Sequence, residues 1–282
     1  MSALLYKDAP RQKEPSYNLF VSIERALSLD IVTELIGCVV RYDPAQLDAV
    51  NAQGEGALTR AVGGRRLDVV QALLAAGANP DLVGSGGVTP LRQALRLRLD
   101  GIAQALLEAG ANPLLLDWQQ RTMLFDAARQ NLTGWCERLI DLGVEPNQAT
   151  KESLRGSALH EAAASNSAGA AAVLIARGSW VDLQNTFKET PLHLCAMGDA
   201  RETACVLVRA GASLTAQTHT GLTPLMTARK YGHMAFSREV QAMSSAFEAQ
   251  RAMHDALEDA LKDALGEAAL CLPRPARKTP SP

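Results

Sequence analysis

Hydrophobic and polar residues alternate along the chain in short helical patterns that come in pairs. Residues 87–113 carry two apolar runs, begin near Thr89-Pro90-Leu91 and close with Gly110-Ala111-Asn112-Pro113. A threonine before the first run can cap a helix, and a proline beside it fits the first helical turn. A glycine after the second run can adopt the left-handed conformation that ends a helix. The pattern therefore predicts a helical hairpin.

The hairpin pattern repeats along the chain. The closing glycines are spaced by 33, 33, 35 and 33 residues, at Gly77, Gly110, Gly143, Gly178 and Gly211. The opening phrase keeps the same steps, including one two-residue insertion near Thr150. Two independent signals with one period indicate a repeat architecture, in which each unit buries its core against its neighbours.

At these residues the chain resembles the ankyrin repeat family, whose signature joins Thr-Pro-Leu-His to a Gly-Ala-Asn or Gly-Ala-Asp closure. The closest match is residues 188–217, which contain Thr190-Pro191-Leu192-His193. Other copies depart from the signature, because Phe125 and Met226 stand where histidine is usual. The resemblance implies an all-α solenoid of stacked helix-turn-helix units.

The period divides the chain into a capped array. A degenerate capping repeat is expected at 17–50, and six repeats are expected at 51–83, 84–116, 117–149, 152–184, 185–217 and 218–245. An amphipathic helix is expected at 246–271, because Leu257, Leu261 and Leu265 continue an apolar stripe at steps of four. Covering the last repeat is its favoured role, and self-association or binding of a partner helix is the alternative. We expect residues 1–16 to be flexible and residues 272–282 to be disordered.

The resemblance also implies a concave face, built from hairpin tips and first helices, where family members bind other proteins. The corresponding positions are Trp118, Gln119, Arg121, Arg129 and Gln130 in the third copy, Thr186, Phe187, Glu189 and Met197 in the fifth, and His219, Thr220, Leu222, Lys230 and Tyr231 in the sixth.

Large anchoring residues are concentrated at these positions. The chain has only three Trp, four Tyr and five Phe, yet Trp118, Phe187 and Tyr231 all map to this face. Because Trp, Tyr and Arg most often anchor interfaces, we predict a protein-binding site centred on these three residues with Arg121 and Arg129. Gln119, Met197 and His219 complete the predicted contacts. In the alternative, Trp118 and Phe187 only pack on adjacent hairpins and stiffen them.

Composition and charge limit the classes of partner and the cellular location that the sequence predicts. A net charge of −2 over 282 residues gives no general attraction to nucleic acid or to anionic membranes. No run of apolar residues is long enough to predict a membrane span, and the N-terminus lacks the pattern of a Sec signal peptide. Five scattered cysteines predict reduced thiols in the cytosol. Abundant alanine and arginine with few aromatic residues indicate a bacterial source.

Candidate chemistry in the sequence is sparse. The resemblance implies that His160 and His193 tie adjacent repeats together by hydrogen bonds, and no third ligand stands in register for a metal. Cys195 follows His193 in an apolar helix without the acid that would orient a reactive pair. We therefore predict no catalytic residue, metal or cofactor.

Two further features allow alternative interpretations. Arg92, Arg96 and Arg98 form the best basic patch, which is either a solvated surface or a docking site for an acidic segment. Trp180 stands where Asp or Asn is usual, and packing over the insertion near Thr150 is favoured over a role in partner contact.

Together these features predict a non-enzymatic, cytosolic scaffold that binds a partner protein as an adapter, an inhibitor or a neutralising partner. One alternative is a bacterial effector that is exported into a host without a Sec signal. Another is the substrate-recruiting part of an enzyme. The sequence leaves the partner's identity and the oligomeric state open.

Overall fold

A computed structural model describes residues 15–51, 54–84, 87–148 and 156–270. The expectations for residues 1–14, for residue 271, for the tail at 272–282 and for the insertion near Thr150 lie outside the described residues. The described residues form helices without a β-strand among them: α1 (Pro15–Glu24), α2 (Leu29–Tyr42), a 3-10 helix (Pro44–Asp48), α3 (Ala57–Gly63), α4 (Leu67–Ala75), α5 (Pro90–Arg96), α6 (Asp100–Glu108), α7 (Met123–Arg129), α8 (Thr133–Asp141), α9 (Ala158–Ala164), α10 (Ala168–Ala176), α11 (Pro191–Gly198), α12 (Arg201–Arg209), α13 (Pro224–Lys230) and α14 (Met234–Leu270).

The helices are arranged in consecutive pairs. Within each pair the first helix packs on the second, and the first helices of neighbouring pairs pack on one another from α3 to α13. The second helices pack on one another from α2 to α6 and from α8 to α14. This architecture confirms the predicted all-α solenoid of helix-turn-helix units.

The repeated phrases mark the beginning and the end of each pair. The hydroxyls of Thr89 and Thr223 accept hydrogen bonds from backbone N–H groups three residues later, and a proline follows each threonine at the start of the helix. After the second helix the chain reverses at a glycine, such as Gly110, whose φ of +90° is costly for other residues. Sequence and local structure therefore agree about where each unit begins and ends.

The core lies between neighbouring pairs. A row of small residues on the first helices is fully buried, and its members are Ala61, Ala94, Ala127, Ala162, Cys195 and Ala228. Small side chains in this row let adjacent first helices approach closely. Buried leucines such as Leu91 and Leu124 flank the row, and Leu106 and Leu139 fill the space beneath the second helices. The stack thus buries apolar surface between repeats and has no single central core.

The last helix is longer than the sequence division predicts. One continuous helix, α14, runs from Met234 to Leu270, so no break separates the second helix of the sixth copy from the expected capping helix. Neither a proline nor a left-handed glycine interrupts this segment near residue 245, where the repeat signature fades. Phe236 and Val240 are buried, whereas Met253 and Leu257 are exposed. The first turns of α14 therefore cover the end of the stack.

Candidate functional site

The tips of the hairpins between repeats are held by side-chain to backbone hydrogen bonds. Asp117 accepts through Oδ1 from the N–H groups of Gln119 and Arg121, at 2.9 Å each. Asn185 makes the same pair of contacts through Oδ1, with the N–H groups of Phe187 and Glu189, two and four residues later. These bonds fix the shape of each tip, so the side chains at the tip project in a defined direction.

Trp118 and Phe187 project from these tips into solvent. The side chain of Trp118 is 66% exposed and that of Phe187 is 49% exposed. The tips of the fifth and sixth copies are joined by two hydrogen bonds, because His219 donates from its backbone N–H to the Phe187 carbonyl and from Nε2 to the Thr186 carbonyl, both at 3.0 Å. The contacts between tips are therefore made without burying either aromatic ring.

The structure separates the two predicted arginines. Arg121 points inward and bonds through Nε to Asp117 Oδ2 at 2.9 Å, so its guanidinium is mostly buried. Arg129 lies at the end of α7 and is exposed, with its Nε 3.6 Å from Glu161 Oε1. Arg129 is therefore available at the surface, whereas Arg121 supports the tip that carries Trp118.

Four of the predicted contact residues line one groove. Phe187, Met197, His219 and Tyr231 surround a cavity of about 180 Å³ between the fifth and sixth copies. The remaining lining residues are Glu189, Thr218, Thr220, Leu222, Thr227 and Lys230. The repeat equivalences had already placed four of these six at contact positions. Thr218 and Thr227 were missed, because they lie at the base of a tip and on the inner side of α13.

The predicted site divides into two parts. Residues Trp118, Gln119 and Arg129 belong to the third copy, whereas the groove belongs to the fifth and sixth copies. Two repeat steps of stacked helices separate these parts by about 20 Å, since packed helices lie about 10 Å apart. The intervening fourth copy contributes small residues at the equivalent positions, including Ala164 and Ser165.

The prediction that Arg92 belongs to a basic surface patch is wrong. Its side chain is 1% exposed and lies between two carboxylates, with Nη1 3.2 Å from Asp117 Oδ2 and 2.8 Å from Asp126 Oδ2. Arg96 Nε also bonds to Asp126, at 2.8 Å. Neither arginine therefore presents a free charge to an acidic segment, and only Arg98 of the three lies on the exposed surface, where it bonds to Gln130.

Arg92 takes the structural role that histidine has in other copies. Nη2 of Arg92 donates to the carbonyl of Arg121, 29 residues later, at 2.6 Å. His160 and His193 each donate from Nε2 to a carbonyl 29 residues later, those of Glu189 and Leu222. The same bond between repeats is thus made by two different side chains, and the cationic one requires buried carboxylates beside it.

The charges in this cluster stabilise one another. Burial lowers the pKa of Arg92, and the nearby Asp126 and Asp117 carboxylates oppose that change. Burial tends to raise the pKa of Asp117, but the backbone and side-chain hydrogen bonds from Arg121 and the charge of Arg92 bring it below the ordinary value. Asp117 is therefore ionised at neutral pH.

The two histidines are buried structural groups. Nδ1 of His160 accepts from the Ser157 N–H at 3.1 Å, and Nδ1 of His193 accepts from the Thr190 N–H at the same distance. With Nε2 donating to the next repeat, each ring is neutral. Burial lowers the pKa of His160 to about 4 and lowers that of His193 as well. In each ring, Nδ1 thus caps the start of its own helix, and Nε2 joins the repeat to the next one.

Cys195 has the environment of a core residue. It lies in the buried row of small side chains, and its Sγ donates to the Ala163 carbonyl at 3.8 Å. Burial raises the pKa of the thiol far above the ordinary value, so the reactive thiolate is strongly disfavoured. Among the residues that the structure describes, no three His, Cys, Asp or Glu side chains are grouped as metal ligands. The same residues contain no helix long and apolar enough to cross a bilayer.

Trp180 is an exposed aromatic residue away from the hairpin tips. Its side chain is 64% exposed in the turn after α10, and its backbone N–H donates to Asn147 Oδ1 at 2.8 Å. The favoured interpretation placed this ring over the insertion near Thr150, which lies outside the described residues. Its exposure matches that of Trp118 in a different part of the repeat.

Known proteins share this architecture. The family model for ankyrin repeats in three copies matches residues 19–117, 124–218 and 159–244. Among solved structures, the chain is similar to the ankyrin repeat domain of Bcl-3, a member of the IkappaB protein family, with 25% identity and a TM-score of 0.64 over 81% of this chain and 100% of that chain. It is also similar to the human ASB11 ankyrin repeat domain, with 23% identity and a TM-score of 0.66 over 79% and 96%. No curated protein sequence matches the chain.

Proposed function

Because this chain belongs to the ankyrin repeat family, we propose that it is a non-enzymatic scaffold that binds a partner protein on its hairpin tips and first helices. Ankyrin repeats generally mediate protein–protein interactions. The observation that carries the proposal is the exposure of three aromatic side chains on this surface, at Trp118, Phe187 and Tyr231. Exposed aromatic residues on a rigid support are typical anchors of interfaces.

Rigid support is provided by the stack beneath these side chains. The tips are fixed by Asp117 and Asn185, and the repeats are joined by the bonds of Arg92, His160 and His193. A surface that is already ordered loses little conformational entropy when it binds. The arrangement therefore favours recognition of a partner by a preformed surface.

We propose two contact regions on this surface. The first contains Trp118, Gln119 and Arg129, and the second is the groove lined by Phe187, Met197, His219 and Tyr231. Arg121 has an indirect role, since it holds the tip through Asp117. A partner that reaches both regions must extend across the fourth copy.

The proposed setting is the cytosol of a bacterial cell, in which the scaffold acts as an adapter, an inhibitor or a neutralising partner. The four cysteines that the structure describes form no disulfide, and this observation and the composition support the proposed setting. Export into a host is the competing arrangement, and a secretion assay that detects transfer of the chain into host cells would favour it. Recruitment of a substrate to an enzyme would require a catalytic domain in addition to the repeats.

Replacing Trp118 and Phe187 together with alanine is expected to weaken partner binding by at least about 30-fold, or about 2 kcal/mol, because both side chains are proposed anchors. The partner is captured from native lysate with the wild-type chain, identified by mass spectrometry and purified. Its affinity for each variant is then measured by calorimetry.

Helical circular dichroism and a matched variant complete this experiment. Trp180→Ala removes an equally exposed aromatic ring from another part of the repeat, so it should leave the affinity unchanged. The double variant should keep its helical signal. A loss of helicity in the double variant would instead favour the interpretation that Trp118 and Phe187 stiffen the hairpins.

A further inference from the structure

The groove between the fifth and sixth copies has the size of one large side chain. Its volume is about 180 Å³, and liquid water occupies about 30 Å³ per molecule, so the space equals about six waters. A helix or a strand is too large to enter. A single side chain that projects from an extended or looped segment fits the space.

The walls of the groove are apolar and partly aromatic. Phe187 and Tyr231 are each about half exposed, and Met197 and Leu222 line the space between them. Aromatic rings pack well on one another in edge-to-face or offset arrangements, and a methionine adapts to their shape. These walls therefore favour the ring of an aromatic residue.

The inner side of the groove carries an unsatisfied hydroxyl. Thr227 is buried in α13, and its Oγ1 has no hydrogen-bond partner among the described residues. Threonine in a helix populates two χ1 rotamers, so a rotation can bring this hydroxyl to the groove. A buried hydroxyl without a partner is unfavourable, and an occupant with its own hydroxyl would satisfy it.

Two lysines and one carboxylate lie at or beside the rim of the groove. Lys230 is exposed, with its Nζ 5.9 Å from the centre of the Tyr231 ring, and Lys188 is exposed at the adjacent hairpin tip. The carboxylate in the lining, Glu189, already accepts a hydrogen bond from Asn185 Nδ2 at 2.9 Å. Acidic residues beside the entering side chain would be attracted to the two lysines.

We propose that this groove captures a tyrosine side chain of the partner protein, flanked in the partner's sequence by acidic residues. The ring lies between Phe187 and Tyr231, and its hydroxyl bonds to Thr227. This inference rests on the proposed function, because it assigns the kind of partner segment that the surface recognises.

A displayed library of random twelve-residue peptides tests the preference without knowledge of the partner. Selection on the full-length chain is expected to enrich a tyrosine beside Asp or Glu, and binding of the selected peptides should be lost in Tyr231→Ala. The same peptides should bind Trp180→Ala normally, because Trp180 is an exposed aromatic residue outside the proposed binding surface. Peptides without an aromatic residue, or the absence of any selected peptide, would overturn the inference.

Two synthetic peptides then test the hydroxyl contact. They carry the selected sequence, and they differ only in having tyrosine or phenylalanine at the central position. The wild-type chain is expected to bind the tyrosine peptide about five- to tenfold more tightly, which is the worth of one hydrogen bond. Thr227→Val keeps the shape of the side chain, and it should bind the two peptides equally.

The outcomes separate this inference from the proposed function. If Thr227→Val keeps the preference for tyrosine, the hydroxyl contact is wrong. If the selected peptides depend on Trp118 and not on Tyr231, the groove is not their site, yet the proposed binding surface stands. Thr227→Val should fold at least as stably as the wild type, since it removes an unsatisfied polar group, and thermal unfolding checks this.

Discussion

Replacing Arg92 with alanine is expected to lower the free energy of unfolding by about 3 to 5 kcal/mol, because it removes one cationic partner from each of two largely buried carboxylates. Arg92 is fully buried and joins Asp117 and Asp126 to one another. It also supplies the hydrogen bond to the Arg121 carbonyl that connects the second and third copies. Urea unfolding at neutral pH measures the loss.

Arg96→Ala is the matched control for this prediction. Arg96 bonds to the same carboxylate, Asp126, but its side chain is about one-third exposed. Partly exposed ion pairs contribute little, so this variant should lose at most about 1 kcal/mol. Equal losses in the two variants would contradict the assignment of Arg92 as the central member of the cluster.

The chain itself provides a design that should restore stability. Arg92, Asp117 and Arg121 in the second and third copies correspond to His160, Asn185 and Glu189 in the fourth and fifth. The triple variant Arg92→His/Asp117→Asn/Arg121→Glu copies two contacts into the second and third copies. The first is the hydrogen bond from the neutral His160 ring to the next repeat, and the second is the contact between Asn185 and Glu189. We expect it to be more stable than Arg92→Ala, because position 117 then carries no buried carboxylate that has lost the charge of Arg92.

Acidification from pH 7 to pH 4.5 is expected to remove about 2 to 3 kcal/mol of stability through His160 alone. Burial lowers the pKa of this ring to about 4 in the folded chain, against an ordinary value of 6.5. Between these two values the unfolded chain binds more protons than the folded chain. Stability therefore rises with pH across this window and is lost as the pH falls through it.

His160→Phe isolates this contribution. Phe125 occupies the equivalent position in the third copy and is buried there, so the fold accepts a phenylalanine at this point of the repeat. The variant should show a smaller loss of stability between pH 7 and pH 4.5 than the wild type, by urea unfolding at both pH values. His193, whose pKa is also lowered, accounts for part of the loss that remains. An unchanged pH dependence would show that His160 is not buried as a neutral ring.

The fold was predictable because its signals are local. Phrases such as Thr190-Pro191-Leu192-His193 specify a helix start within four residues, and Gly211 specifies a helix end by its backbone conformation. The period then joins these local signals into a stack. The length of α14 was not predicted, because the repeat signature ends near residue 245 while the helical pattern continues.

The binding surface was predictable only in part. Repeat equivalence placed Phe187, Met197, His219 and Tyr231 at contact positions, and the structure brings these four around one groove. Spacing along one helix could not show that Arg92 is buried, because its partners Asp117 and Asp126 lie 25 and 34 residues away. A signal was nevertheless present, since Arg92 stands at the histidine position of its phrase.

Photo-crosslinking tests most directly whether this surface binds the partner. Benzoylphenylalanine is introduced singly at position 118, 187 or 231, and at position 180 as an equally exposed aromatic site outside the surface. After irradiation in native lysate, the first three variants should each form a covalent adduct with the same protein, and the fourth should form none with it. Adducts from position 180 alone, with none from the other three, would contradict the account.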